Sequence, residues 1–193
     1  MAITSNVDLA GDNGADVRRR RLRYPVRWIA GSIGVVIVAL VAALAVSRPA
    51  SETLAASPLL GKVAPQVNGA GVGGGSWHLS QFRGKWVLLN FLASWCVPCR
   101  QEMPDLGRFE REHAPSGDAT VVGVRYDPAD GNLARFLVEH RASWPVIDDP
   151  SAVVAYGVRG IPESYVIDPH GVVRAKIVGQ VDAARVDKVI AGL

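Results

Sequence analysis

The sequence predicts an α/β domain, with a mixed central sheet flanked by helices, preceded by one N-terminal transmembrane helix. Three observations carry that prediction. Apolar β-type runs alternate with amphipathic helical stretches from Lys85 onward. An uncharged run extends from Trp28 to Val46. Finally, Cys96-Val97-Pro98-Cys99 stands where the first buried run gives way to a helix. A length of 193 residues, 49% hydrophobic and 20% charged, suits one folded domain with an appendage and excludes a disordered or collagen-like chain.

The formal charge of +3 is not spread over the chain. Residues 1–27 hold six arginines (Arg18, Arg19, Arg20, Arg21, Arg23 and Arg27) against Asp8, Asp12 and Asp16. Residues 28–193 hold fifteen basic and fifteen acidic side chains. The main domain has no global field to steer it onto polyphosphate, so nucleic-acid binding is excluded as its function.

The nineteen residues from Trp28 to Val46 (WIAGSIGVVIVALVAALAV) carry no charge. As a helix at ~1.5 Å per residue they span roughly 28 Å, close to the hydrocarbon core of a bilayer. The arginines before the run put residues 1–27 in the cytoplasm as a basic tail and the rest outside. The alternative is a cleaved signal peptide, since Ala43-Leu44-Ala45 has the small-x-small form of a cleavage site. The run exceeds a usual signal core, which favours an uncleaved signal-anchor. Residues 47–58 then read as a tether and 59–193 as the folded domain, extracytoplasmic on either reading.

Lys85 to Leu92 reads as a near-continuous apolar run (WVLLNFL), expected as a central parallel strand covered on both faces. Met103, Leu106 and Phe109 recur at helical spacing after Cys96, with Pro104 expected to kink that helix. Thr120–Arg125 reads as a second buried strand, and 130–140 as an amphipathic helix through Leu133, Phe136 and Leu137. Pro145–Ile147 and Ser164–Ile167 read as short strands. Pro169-His170-Gly171 turns the chain into a hairpin with Val172–Val178. Asp182 is the expected N-cap of a last helix presenting Val186, Val189 and Ile190. Gly71–Gly75 reads as a flexible loop; no lysine or helix start follows it to make a phosphate cradle.

Cys96 and Cys99 are the only cysteines, which excludes a multi-disulfide scaffold and a four-cysteine zinc site. His78, His113, His140 and His170 are scattered, with no paired ligand spacing, so no metal or organic cofactor is implied. Covalent haem attachment would need histidine after the second cysteine, where Arg100 stands. A peroxidatic cysteine of the peroxiredoxin kind expects proline and threonine seven and three residues earlier; Leu89 and Ala93 occupy those places. A purely structural disulfide would close so small a ring that it gains little from loop entropy. A dithiol on an extracytoplasmic strand–helix junction points to redox work. Cys96 at the helix start meets free N–H groups and the positive dipole end, which favour its thiolate; Cys99, one turn on, can resolve a mixed disulfide. Trp95 is expected to wall one side of the site.

The segment NFLASWCVPCRQEMPDL resembles the active-site region of membrane-anchored thioredoxin-like proteins of the TlpA/ResA/CcmG (DsbE) group. Gly61-Lys62-Val63-Ala64-Pro65, Phe82-Arg83-Gly84-Lys85 and Tyr156-Gly157-Val158-Arg159-Gly160-Ile161-Pro162-Glu163-Ser164 agree with it, and the last, continued to Gly171, looks most like the cytochrome c maturation branch. The resemblance covers about Leu59 to Leu193. It implies a thioredoxin-like fold in which Pro162 is cis and faces the two sulfurs, with Ile161 offering backbone to a bound partner. It also implies that Glu102 and Glu163 tune the thiols, since a nearby carboxylate opposes thiolate formation and favours a reductant. The plain alternatives are a solvated helix face for Glu102 and an ordinary turn for Pro162. Three features depart from the pattern: Val67 in place of an aromatic, Arg159 in place of the tyrosine of some relatives, and the Gly71–Gly75 loop.

The expected activity is therefore that of a protein disulfide reductase with a redox-active Cys96–Cys99 pair, flanked by Trp95 and Pro98. By resemblance its client is the oxidised CxxCH pair of apocytochrome c, reduced before haem attachment, and its electrons come from a transmembrane thiol relay of the DsbD/CcdA kind. Other extracytoplasmic clients, such as copper-site cysteines of oxidase assembly factors, form the alternative. A non-enzymatic docking module is a further one, against which the retention of both cysteines speaks.

Overall fold

The computed structural model describes residues 33, 34, 36–39 and 53–193. The chain forms two compact units, Met1–Arg48 and Pro49–Leu193. In the first, the described positions are helical, and Ile33, Val36, Ile37 and Val38 are exposed. The rest of the expected 28–46 span lies outside the described residues, as do the tail 1–27 and the tether up to 52. Among the described residues no helix is long and apolar enough to cross a membrane.

The second unit is built on one mixed sheet. Its strands are β1 (Thr53–Leu54), β2 (Asn68–Gly71), β3 (Ser76–His78), β4 (Trp86–Leu92), β5 (Ala119–Arg125), β6 (Val146–Asp148), β7 (Glu163–Ile167) and β8 (Val173–Val178). They lie in the order β1-β8-β7-β4-β5-β6-β2-β3. Four α-helices complete it: α1 (Val97–His113), α2 (Leu133–Glu139), α3 (Pro150–Ala155) and α4 (Ala183–Ala191).

β4 is central, as its composition requires, but only one neighbour is parallel. It pairs in parallel with β5 and antiparallel with β7, Val87 opposite Ile167 and Phe91 opposite Glu163. An apolar run reports covered faces, and those are covered here whichever way the neighbours run. Alternate residues serve the two layers of the core. Leu88 and Leu92 pack with Met103, Leu106 and Val186 on one face, while Val87, Leu89 and Phe91 pack with Ile147, Tyr156 and Tyr165 on the other. Asn90 shares the face of Leu88 and Leu92 and is fully buried.

α1 begins as expected at Cys96, carries Pro98 in its first turn and continues past Pro104 to His113. Its inner face is Cys99, Glu102, Met103, Leu106 and Phe109, the i, i+3/i+4 spacing of a buried stripe. His113 then bridges Asp118 (Nδ1 to Oδ1, 2.9 Å) and Asp187 (Nε2 to Oδ1, 3.0 Å), tying the end of α1 to α4. Asp182 caps α4 by accepting from the Arg185 amide at 3.2 Å.

The flexible loop expected at Gly71–Gly75 is instead the turn of a hairpin. β2 pairs antiparallel with both β3 and β6. A Cβ at Gly71 would sit 2.3 Å from the Gly74 carbonyl oxygen, and Gly74 has φ +102°, so glycine makes the tight turn possible. The β2 residues Asn-Gly-Ala-Gly show no apolar alternation, because backbone pairing rather than side-chain burial holds them. The short helix α3 also lacks a sequence signal of its own; Asp149 caps it by accepting from the Ser151 amide at 3.1 Å. β1 falls inside the expected tether and pairs with β8, Thr53 opposite Val178.

Candidate active site

The loop Ala93–Trp95 leaves the C-terminal end of β4 and delivers Cys96 to the start of α1, the position where open α/β sheets place their chemistry. Cys96 and Cys99 form a disulfide with a Cα–Cα distance of 5.2 Å. The Sγ of Cys96 accepts from the Cys99 amide at 3.1 Å, the arrangement anticipated for a helix-start sulfur. Cys96 retains 4% exposure and Cys99 none, so the outer and inner cysteines are as expected. Trp95 is exposed beside them, its indole N–H donating to Asp127 at 3.0 Å and its ring edge-on to Tyr126.

Behind the dithiol lies a buried polar cluster. Glu102, three residues after Cys99 on the same helix face, is 1% exposed, which rules out the solvated-face alternative. Its Oε1 accepts from Asn90 Nδ2 at 2.9 Å and its Oε2 from the Val181 amide at 3.0 Å. Asn90 also donates to Ser164 Oγ at 3.0 Å. Burial pushes the Glu102 carboxyl up to about 8, opposed by the two hydrogen bonds and assisted by the charge of Asp105. At neutral pH Glu102 is therefore largely protonated, rather than the fixed negative charge expected from sequence. Asn90 Oδ1 is buried without a partner; turning that amide over presents it to the Glu102 hydroxyl as acceptor.

Glu163 is also buried, but it does not stand alone: its Oε2 lies 2.9 Å from Lys176 Nζ. Its charge is compensated locally by that ammonium.

The Ile161–Pro162 peptide is cis. Both residues line a groove of about 650 Å³, with Pro98, Arg159, Gly160, Glu163, Val178, Gly179 and Gln180. Gln180 ties the groove wall to the dithiol turn by donating from Nε2 to the Pro98 carbonyl at 3.2 Å. Val67, at the position where an aromatic is more usual, is fully buried in the core layer of Phe91 and Tyr165.

Several supporting groups are not evident from the sequence: Asn90, Ser164, Lys176, Gln180, and the two carboxylates Asp127 and Asp130 that hold the Ser94–Trp95 loop. One has a signal. Asn90 is the lone polar residue within the apolar run of β4, and a polar group there must have a buried partner.

Residues 60–176 match the AhpC/TSA family. The chain is 40% identical over 100 residues to the thiol:disulfide interchange protein CycY of Rhizobium leguminosarum bv. viciae, covering 50% of this chain and 52% of that one. It is 31% identical over 123 residues to the thiol-disulfide oxidoreductase ResA of Bacillus anthracis, covering 63% of this chain and 70% of that one. A crystal structure of a thioredoxin-family thiol:disulfide interchange protein from Chlorobium tepidum TLS superposes with a TM-score of 0.62 at 30% identity, over 72% of this chain and 98% of that one. With a dithiol at a helix start and a cis-proline groove beside it, the chain belongs to the AhpC/TSA family and, within it, to the thioredoxin-like thiol–disulfide oxidoreductases of the TlpA/ResA/CcmG kind.

Proposed function

We propose that the dithiol works in the reducing direction, on a disulfide of an extracytoplasmic protein, from a domain anchored by the 28–46 segment. The observation that carries this is Glu102, buried behind Cys99 with a proton affinity near neutrality. When ionised, a group of this kind disfavours negative charge on the adjacent sulfurs, so the effect grows as pH rises toward 8. A dithiol whose thiolate is disfavoured gives up its electrons readily.

The reaction runs in two exchanges. The Cys96 thiolate attacks one sulfur of the client disulfide, forming a mixed disulfide and releasing the other client sulfur, which takes a proton. Cys99 then loses its proton and attacks Cys96 Sγ. The Cys96–Cys99 disulfide forms, and the second client sulfur leaves and is protonated. Two electrons pass to the client. Glu102, when ionised, lies on the correct helix face to take the Cys99 proton. The Ile161–Pro162 groove and Trp95 flank the sulfurs and offer the client its docking surface.

The sequence resemblance to the cytochrome c maturation branch supports the CxxCH pair of apocytochrome c as the client, and a transmembrane relay of the DsbD/CcdA kind as the source of electrons. Equilibration in glutathione buffers tests the direction. The potential is expected closer to that of thioredoxin (about −270 mV) than to that of the strong oxidant DsbA (about −120 mV). A value at the oxidant end would overturn the reductase reading.

A further inference from the structure

The groove beside the dithiol carries a cation that the domain does not itself neutralise. Its wall is largely apolar: Pro98, Ile161, Pro162 and Val178. Two charged side chains also line it, Glu163 and Arg159. Glu163 is held by Lys176 at 2.9 Å. Arg159 is exposed, and among the described residues no hydrogen bond or ion pair engages its guanidinium. It also borders a second cavity, of about 480 Å³, lined by Leu59, Val154 and Lys176. Arg159 thus lines both concave surfaces.

A guanidinium offers five donors in a planar fork and cannot be discharged at any working pH, so it favours a carboxylate as partner. The balance of charge along the groove sharpens this. With Glu163 and Lys176 cancelling, an approaching client meets one uncompensated positive charge over apolar surface, which attracts an acidic group and repels a basic one. We propose that Arg159 makes the enzyme selective for client segments that place an apolar side chain in the groove and an acidic residue beside the cysteine pair. The proposal rests on the reading of the groove as the client-docking surface and adds to it the chemical class of the client.

The test uses the full chain, pre-reduced, and three series of disulfide-closed peptides that differ only at one residue flanking the cysteine pair: Glu, Gln or Lys, placed in turn on either side. Wild type is expected to show kcat/KM in the order Glu > Gln > Lys for one flank. Steps of about two- to fivefold are typical of a solvent-exposed ion pair. The difference should fall in KM and shrink as added salt screens it. Arg159→Glu should invert the order. A misfolded variant would lower all three rates together, so inversion cannot arise from structural damage. Equal wild-type rates on all three peptides for both flanks, or an order that Arg159→Glu leaves unchanged, would overturn the proposal. Wild type that reduces none of them would instead overturn the reductase reading, and the proposal with it.

Discussion

Asp130 grips Ser94 twice: its Oδ2 accepts from the Ser94 amide and its Oδ1 from the Ser94 hydroxyl, both at 2.6 Å. Ser94 lies two residues before Cys96, so this carboxylate, projecting from the β5–α2 connection, fixes the loop that presents Cys96. Burial works to raise the Asp130 pKa. The hydrogen bonds from Ser94 and Asn132, with the charge of Arg125, outweigh it and hold the carboxyl below its ordinary value. Asp130→Ala leaves two buried donors without an acceptor and should cost about 2–6 kcal/mol in urea unfolding, at roughly 1–3 kcal/mol per orphaned group. Asp130→Asn retains one acceptor and should cost less. Because the folded pKa is depressed, the charged carboxylate stabilises the protein above its unfolded pKa, and that contribution is lost as pH falls through the folded value. Asp130→Asn should accordingly flatten the acid limb of the stability profile.

The second prediction concerns which sulfur attacks. Cys96 Sγ accepts the Cys99 amide and is the less buried of the pair. Cys96→Ser should abolish mixed-disulfide formation with any client. Cys99→Ser leaves the backbone amide that supports Cys96, so it should still attack and, without a resolving thiol, accumulate the covalent complex. Alkylation rates of the two single-cysteine variants at neutral pH check the assignment: faster reaction of the variant that keeps only Cys99 would reverse the roles.

The central strands and the longer helices were legible because they rest on buried side chains. Trp86–Leu92, Ala119–Arg125 and the stripe through Met103, Leu106 and Phe109 carry the periodicity of the faces they bury. β2 and β1 were not legible. Both are held by pairing of backbone groups at the two sides of the sheet, which any residue can supply. The site divides in the same way. Cys96 and Cys99 announce themselves by spacing, and Pro162 by its flanking motif. Asp130 and Ser94 come together from 36 residues apart by tertiary packing alone, and nothing local marks either one. Glu102 was visible as a residue but not as a state, since its proton affinity depends on burial against the folded sheet, opposed by the Asn90 and Val181 hydrogen bonds.

The third prediction addresses the N-terminal segment. If Trp28–Val46 is an uncleaved anchor, the protein should remain with membranes after carbonate or high-salt washing, and the redox domain should be open to protease added from outside. Recovery of a soluble form beginning near Val46 would show cleavage instead.

The last prediction turns on the Glu102 proton. Its folded pKa is raised from 4.5 to about 8, so the folded state binds more protons than the unfolded chain between those values. Stability from this group is fully present below about pH 4.5 and is lost as pH rises through about 8. Each pH unit inside that window removes at most about 1.4 kcal/mol, so the loss across it amounts to a few kcal/mol. His113, whose pKa is also raised by its two aspartates against the opposing effect of burial, adds a loss of the same sign as pH climbs above 6.5. The difference between wild type and Glu102→Gln therefore isolates Glu102. The glutamine variant should show a shallower decline in urea-unfolding stability from pH 5 to pH 8, retaining only the His113 part. Thiol reactivity should separate the two proteins on the alkaline side. Glutamine resembles the protonated acid. In a Cys99→Ser background, Cys96 alkylation with and without the Glu102→Gln substitution should coincide below about pH 7 and diverge as Glu102 ionises, the glutamine variant then reacting faster. Coincident curves up to pH 10 would mean that Glu102 does not communicate with Cys96.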